Sequence, residues 1–261
     1  AYMLVLSVAY IALWRTGSAV VNRMGVAFET LLAFFLIRGL VHSKGQIVVL
    51  VRCLAVVFFV VAVFMTIEQL TQRNYFSVFG GVPPITALRQ GRIRAQGAFS
   101  HPIMAGTFGA AFFPLYWGLW ALEGGKNRAF ALIGGVSAVV ITWASSSSGP
   151  VLTLVAGLFG IALWPYRSHL GTLFKLFLLA LLGLHIVMDA PVWHLISRVD
   201  VVGGSTGWHR YYLIDQAIAR FREWMLFGVR TTGHWGWGLN DVTNMFIYQG
   251  VNGGVGALVL F

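Results

Sequence analysis

Apolar and polar positions divide the chain into long apolar runs separated by polar connections. Runs long enough to cross roughly 30 Å of hydrocarbon recur throughout. They predict helices near residues 2–13, 21–37, 47–65 and 99–120, and again near 129–143, 151–164, 173–188 and 242–261. Several are short for a full crossing, so tilt or missing boundaries are expected. The fold class that follows is all-α: a polytopic transmembrane helix bundle of about eight helices, read as one transmembrane domain over residues 1–261. Two longer connections interrupt the pattern, at 68–98 and 189–241. Both are rich in Gly and Arg, and the second also in Trp and His. Because the outermost runs open and close within apolar sequence, the chain reads as a fragment, with helices missing at one or both ends.

Composition strengthens this reading. Of 261 residues, 58% are hydrophobic and 10% charged, against roughly 25% charged in a soluble domain. So much apolar surface needs a bilayer as its solvent. The formal charge of +10 would suit nucleic acid if a soluble basic domain carried it, but none is present, so no nucleic-acid partner is expected. The single cysteine, Cys53, lies in an apolar run, which excludes a disulfide or a cysteine-based metal site within one chain.

Charge also suggests an orientation. The connections 38–46, 123–128 and 167–175 are short and basic, and contain all three lysines, Lys44, Lys126 and Lys175. The positive-inside rule makes them cytoplasmic. Both long connections, and the turn Ser145-Ser146-Ser147-Ser148-Gly149-Pro150, then share the opposite face. Arg15, in the first short connection, runs against this assignment.

The expected outer face carries arginines and no lysine: Arg73, Arg89, Arg92 and Arg94, then Arg198, Arg210, Arg220, Arg222 and Arg230. Guanidinium groups bind phosphate bidentately and stay charged. They suit a lipid diphosphate headgroup, or equally ordinary anionic lipid. Residues 210–225 pattern as an interfacial amphipathic helix. Leu213, Ile214, Ala217, Ile218, Phe221, Trp224 and Met225 lie on one face, and Ser205 or Thr206 would cap its start. Such a helix would wall a headgroup pocket or serve simply for packing. In the Gly- and Trp-rich stretch 232–244, His234 and Asp241 are titratable and could deprotonate an acceptor hydroxyl. The tryptophans there would anchor at the interface or stack on sugar rings. Asp241 could instead cap the last helix. His209 is a further candidate base. His101, before Pro102, would point into the pocket or satisfy a helix end. Ser145–Ser148 would bind phosphate or glycan hydroxyls, or form a turn. No HExxH, phosphate loop or cysteine pair signals a metal or cofactor.

In order and spacing, several segments resemble the O-antigen ligase and polymerase superfamily of bacterial membrane glycosyltransferases. They are Gly91-Arg92-Ile93-Arg94-Ala95-Gln96-Gly97 with Phe99-Ser100-His101-Pro102, the 145–150 turn, Gly207-Trp208-His209-Arg210, and Asp241-Val242-Thr243-Asn244 through Gly250-Val251-Asn252-Gly253-Gly254. The resemblance covers residues 58–261. It implies a multi-pass protein of the bacterial inner membrane with periplasmic functional loops. The implied reaction is metal-free, inverting transfer or polymerisation of glycan from an undecaprenyl-diphosphate carrier. It implies Arg210 as a catalytic arginine, with Arg92, Arg94, His101, Ser148 and Asn244 binding substrate. Two departures stand out. Thr243-Asn244 replaces a His-Asn pair, and Ser147-Ser148-Gly149 replaces a frequent Ser-Arg-Gly. The general base would then be Asp241, His234 or His209. Two other readings fit the composition. One is a transporter of lipid-linked anions, with Glu29 and Arg52 in apolar runs. The other is a non-catalytic subunit among other membrane subunits and membrane lipids.

Overall fold

A computed structural model describes residues 1–198 and 207–261. The helices are α1 (Tyr2–Trp14), α2 (Gly17–Leu40), α3 (Lys44–Thr71), α4 (Pro102–Leu122), α5 (Lys126–Ala144), α6 (Ser148–Leu163), α7 (Leu170–Val187), α8 (Gly207–Ala219), α9 (Phe221–Trp224) and α10 (Met245–Leu260). The only sheet among the described residues is a two-stranded ribbon, β1 (Leu88–Arg89) with β2 (Arg92–Ile93). The chain is 76% helical, so the fold is all-α. Among the described residues, four helical stretches are long and apolar enough to cross a membrane: Gly17–Leu40, Lys44–Thr71, Lys126–Ala144 and Ser148–Val187. In α2 only Ala19 is buried, and in α7 nothing is. Phenylalanines along both, such as Phe34 and Phe177, are exposed and require an apolar solvent.

Local chemistry sets the helix starts. Thr16 accepts a hydrogen bond from Ala19 N at 3.2 Å, and Ser43 and Gln46 form a capping box on α3. The connection expected at 167–175 is not a loop. Trp164–His169 continues α6 as a 3-10 helix and α7 begins at Leu170, so Lys175 lies inside a helix. Pro165 permits this because it occupies the first turn, where a missing N–H costs nothing.

The chain forms two compact units. His42–Gly183 makes one. In it α5 packs against α3 and α4, and α6 against α4. Phe58 stacks on Phe108 at 4.4 Å and meets the edge of Tyr116 at 5.3 Å. Close approach of α4 and α5 depends on small residues. A Cβ at Gly134 would strike the Tyr116 ring, and one at Gly109 would strike the Ala138 carbonyl.

Phe58, Val61, Ala62 and Met65 form a buried ridge on α3, and Glu68 continues it at 1% exposure. The sequence pattern places Glu68 at the start of a loop; it belongs instead to the last turn of α3. Its Oε1 accepts from Thr86 Oγ1 at 2.6 Å and Gln96 N at 3.1 Å, and its Oε2 from Gly97 N at 2.9 Å. Beside it, Gln69 Nε2 donates to Ile93 O at 2.8 Å and to the Ala144 carbonyl. Asn74 Nδ2 donates to Gly97 O at 2.8 Å. Side chains at the end of α3 thus give the polar segment that follows its shape.

The second unit contains Ala1–Val41 and the described residues of 184–198 and 207–261. Here α1 packs on α10 through Leu6, Ala9, Gly253 and Ala257. Tyr2 Oη donates to Gln249 Oε1 at 2.5 Å, and Arg230 donates to Leu13 O from Nε at 3.1 Å and from Nη2 at 2.9 Å. The helix α10 breaks at Gly254, whose φ is 72°. The break releases backbone groups to the neighbouring turn after α9: Val255 N donates to Met225 O at 2.9 Å, and Val229 N to Val251 O at 2.8 Å. This seam needs glycine at 228 and 254, because a Cβ at either would collide with a carbonyl across it.

Glu68→Ala is expected to cost about 3 kcal/mol, because it leaves buried donors unpaired. Glu68→Gln is expected to cost about 2 kcal/mol, because its amide would oppose a donor. Thermal unfolding of detergent-solubilised protein measures both. An unchanged midpoint for Glu68→Ala would mean that the carboxyl does not hold the segment.

Candidate functional site

In the unit His42–Gly183, the residues Arg89-Gln90-Gly91-Arg92 close the β1–β2 hairpin. Gln90 (φ 52°) and Gly91 (φ 74°) both adopt positive φ, as a type I′ turn requires. The register pairs Arg89 directly with Arg92, an arrangement that like charges disfavour. Arg94 follows on the outgoing strand. Its Nη2 donates to Ser147 Oγ at 2.6 Å, and Ser147 donates in turn to Ser145 O at 2.9 Å. Ala95 N donates to Ala144 O at 3.1 Å, tying this strand to the end of α5. Ser147 is the N-cap of α6, yet its hydroxyl serves Arg94 and Ser145 rather than the first amides of the helix. Burial, and then the charge of Arg89, lower the Arg94 pKa from its ordinary value. A guanidinium remains charged after such a shift. Arg94 is therefore held at the positive end of a helix, with Ser148 in its first turn and Arg89 close enough for its charge to be felt.

His101, at the start of α4, acts as its cap: Nδ1 accepts from Ile103 N at 3.1 Å. Of the two roles considered for it, the structure shows the helix-end role.

In the other unit, α8 buries His209, Leu213 and Ala217, a ridge with four-residue spacing. The segment 232–244 packs along it. Thr232 Oγ1 donates to the Leu239 carbonyl, and Trp235 and Leu239 are buried. His209 Nε2 lies 3.0 Å from Gly238 O. A carbonyl only accepts, so Nε2 carries a proton, and in the neutral imidazole the lone pair is at Nδ1. Nδ1 faces Thr243 Oγ1 at 3.5 Å. Arg210 is adjacent on α8, half-buried, and makes no hydrogen bond or ion pair among the described residues.

Two carboxylates hold this unit together through neighbouring Trp and His side chains. Asp215 accepts from Trp193 Nε1 at 2.7 Å and bonds His194 Nε2 at 2.8 Å. Glu223 accepts from Trp235 Nε1 at 2.9 Å, bonds His234 Nε2 at 2.8 Å and pairs with Arg220 at 3.2 Å. The bonds from His234, Trp235 and Arg220 hold the Glu223 pKa below its ordinary value, against a small opposing effect of burial. Nothing local in the sequence marks these contacts, because the partners are 11 to 22 residues apart.

Three expectations are corrected here. Residues 210–225 are not one helix: the backbone leaves helical geometry at Arg220 (φ −106°, ψ 25°), and α9 folds back so that Trp224 Nε1 reaches Ala217 O at 2.8 Å. Ile218, Phe221 and Met225 are consequently exposed, while His209 joins the buried ridge. The expected caps Ser205 and Thr206 lie outside the described residues. The final helix starts at Met245 rather than Val242, and its cap is Asn244, not Asp241: Asn244 Oδ1 accepts from Phe246 N at 3.0 Å and Ile247 N at 3.2 Å. Asp241 is exposed and not part of the helix.

Among the described residues, no three His, Cys, Asp or Glu side chains group so as to hold a metal ion. No family model, curated protein or solved structure matches the chain.

The Glu223 pairing has a pH signature. A native carboxyl pKa below the unfolded value stabilises fully above about pH 4.3 and is lost as pH falls through the native value. Hydrogen exchange at 232–241, corrected for intrinsic rates, is expected to speed up on acidification through that window. In Glu223→Gln this acid dependence should be flattened; an equal dependence in both proteins would assign the effect to another group.

Proposed function

We propose that this protein is a membrane glycosyltransferase that takes glycan from an undecaprenyl-diphosphate carrier, as a polymerase or ligase. Its place would be a bacterial inner membrane, crossed by about eight helices, with the long polar segments periplasmic. The observation that carries the reading is Arg94, held on Ser147 at the start of α6 with Arg89 nearby. A guanidinium at a helix N-terminus suits phosphate oxygens.

In the unit containing α8, Arg210 and His209 supply complementary chemistry. Arg210, with no protein partner among the described residues, is available to a phosphate oxygen. His209 presents a lone pair at Nδ1 beside Thr243, which stands where the resembling family carries its histidine. The acceptor hydroxyl oxygen attacks the anomeric carbon, and its proton passes to Nδ1. The carbon–oxygen bond to phosphate breaks, and the electron pair leaves with undecaprenyl diphosphate. Arg210 stabilises that leaving group without protonating it. One displacement inverts the anomeric centre, and the step requires no metal.

Surface-glycan gels from a deletion strain, rescued with wild type, Arg210→Ala, Arg210→Lys or His209→Ala, test this. Arg210→Ala is expected to slow transfer by about 10²–10³-fold and lose long chains, with Arg210→Lys recovering little. Short units left on the acceptor would identify a polymerase, and glycan left on its lipid a ligase. Identical profiles, with each protein present in the membrane, would rule the transferase reading out.

A further inference from the structure

The tip of the 232–244 segment carries a feature that the transfer chemistry does not use. Trp237 is 82% exposed and Trp208, at the start of α8, is 44% exposed. Their indole planes are nearly parallel, 16° apart, with ring centroids separated by 5.9 Å. So exposed a pair of large apolar rings would be unremarkable on a loose loop, but this loop is tightly held. Trp235 and Leu239, two residues to either side of Trp237, are both buried. Gly238 O is bonded to His209. Gly236 sits where a Cβ would meet Tyr212 Oη. The alternation turns Trp235 and Leu239 inward and holds Trp237 outward.

We propose that the Trp208–Trp237 pair is a binding platform for a pyranose ring of the glycan, a subsite that rests on and deepens the transferase reading. A pyranose has an apolar face of C–H groups that packs flat on an indole, and a rim of hydroxyls that needs polar partners. Both are at hand. The outward face of Trp237 is the flat aromatic surface, and Asp241 and Thr243, both exposed, follow it in the same polar segment. Membrane anchoring makes a different demand: each indole gains most by immersing both faces in the interface, whereas stacking withdraws one face of each ring from lipid. Arg210 lies on the same helix as Trp208, within the same unit as the platform.

The test uses full-length protein in nanodiscs and, as probe, surface oligosaccharide released from the producing cells by mild acid and freed of lipid. Saturation-transfer NMR and titration give the affinity. The double variant Trp208→Ala/Trp237→Ala should weaken binding roughly tenfold or more, and Trp237→Phe, which keeps a flat ring, should recover most of it. Thermal unfolding confirms that each variant is folded. Unchanged binding in the folded double variant overturns the platform. So does a loss confined to association with anionic vesicles, which would make the pair a membrane anchor. Arg210→Ala separates the two proposals, because it should abolish transfer while leaving binding of the lipid-free probe intact. If the platform variants lose the probe but Arg210→Ala leaves the surface glycan unchanged, the platform stands and the transferase reading fails.

Discussion

A carboxyl group buried at the end of a long apolar helix governs the polar architecture of the unit His42–Gly183. Glu68 occupies the position on α3 where the ridge Phe58–Met65 would place another apolar side chain. It instead accepts hydrogen bonds from a hydroxyl and two backbone amides of a segment 18 to 29 residues further on. Removing a carboxyl from water is costly unless its oxygens are satisfied, so segment and helix end each require the other. The arginine hairpin lies within the stretch this carboxyl secures. Mutually repelling cations can be held together only when something else over-determines the backbone; here Glu68, Gln69 and Asn74 do so.

The other unit uses the same device with different side chains. Asp215 and Glu223 each collect an indole N–H and an imidazole from adjacent residues, Trp193-His194 and His234-Trp235. One carboxylate thereby fastens a neighbouring segment to α8, and the other fastens 232–244 to the turn after it. The residues His209, Arg210, Trp208 and Trp237 are thus braced by two carboxylates near the C-terminal end of α8.

How much of this could be read from sequence depends on the range of the interaction. Apolar runs identify the all-α class and the four helical stretches long enough to cross a membrane among the described residues, since a helix intended for lipid is apolar along its whole length. Helix ends moved where a single side chain decided the matter, as at His101 and Asn244. The ridge spacing from Met65 to Glu68 is a signal that could have revealed a buried acid, had the apolar period been carried three residues further. The β1–β2 hairpin fell within a stretch read only as a loop, although Gly91 offers the positive φ its turn needs. The break at Arg220, the Glu223 contacts and the stacking of Trp208 on Trp237 were not legible. Each depends on residues distant in sequence, where local propensity carries no information.

The seam at Gly228 and Gly254 bears on the order in which the molecule is built. Residues 225–229 take backbone partners from within α10, and α1 is held by Gln249, by Arg230 and by the small-residue face of α10. Contacts spanning more than 200 residues close late. During synthesis α1 is made well before α10, and until then it has only α2 to pack on. Formation of α10 therefore locks the segment 225–229 and α1 together, and neither is complete before residue 255 has been made.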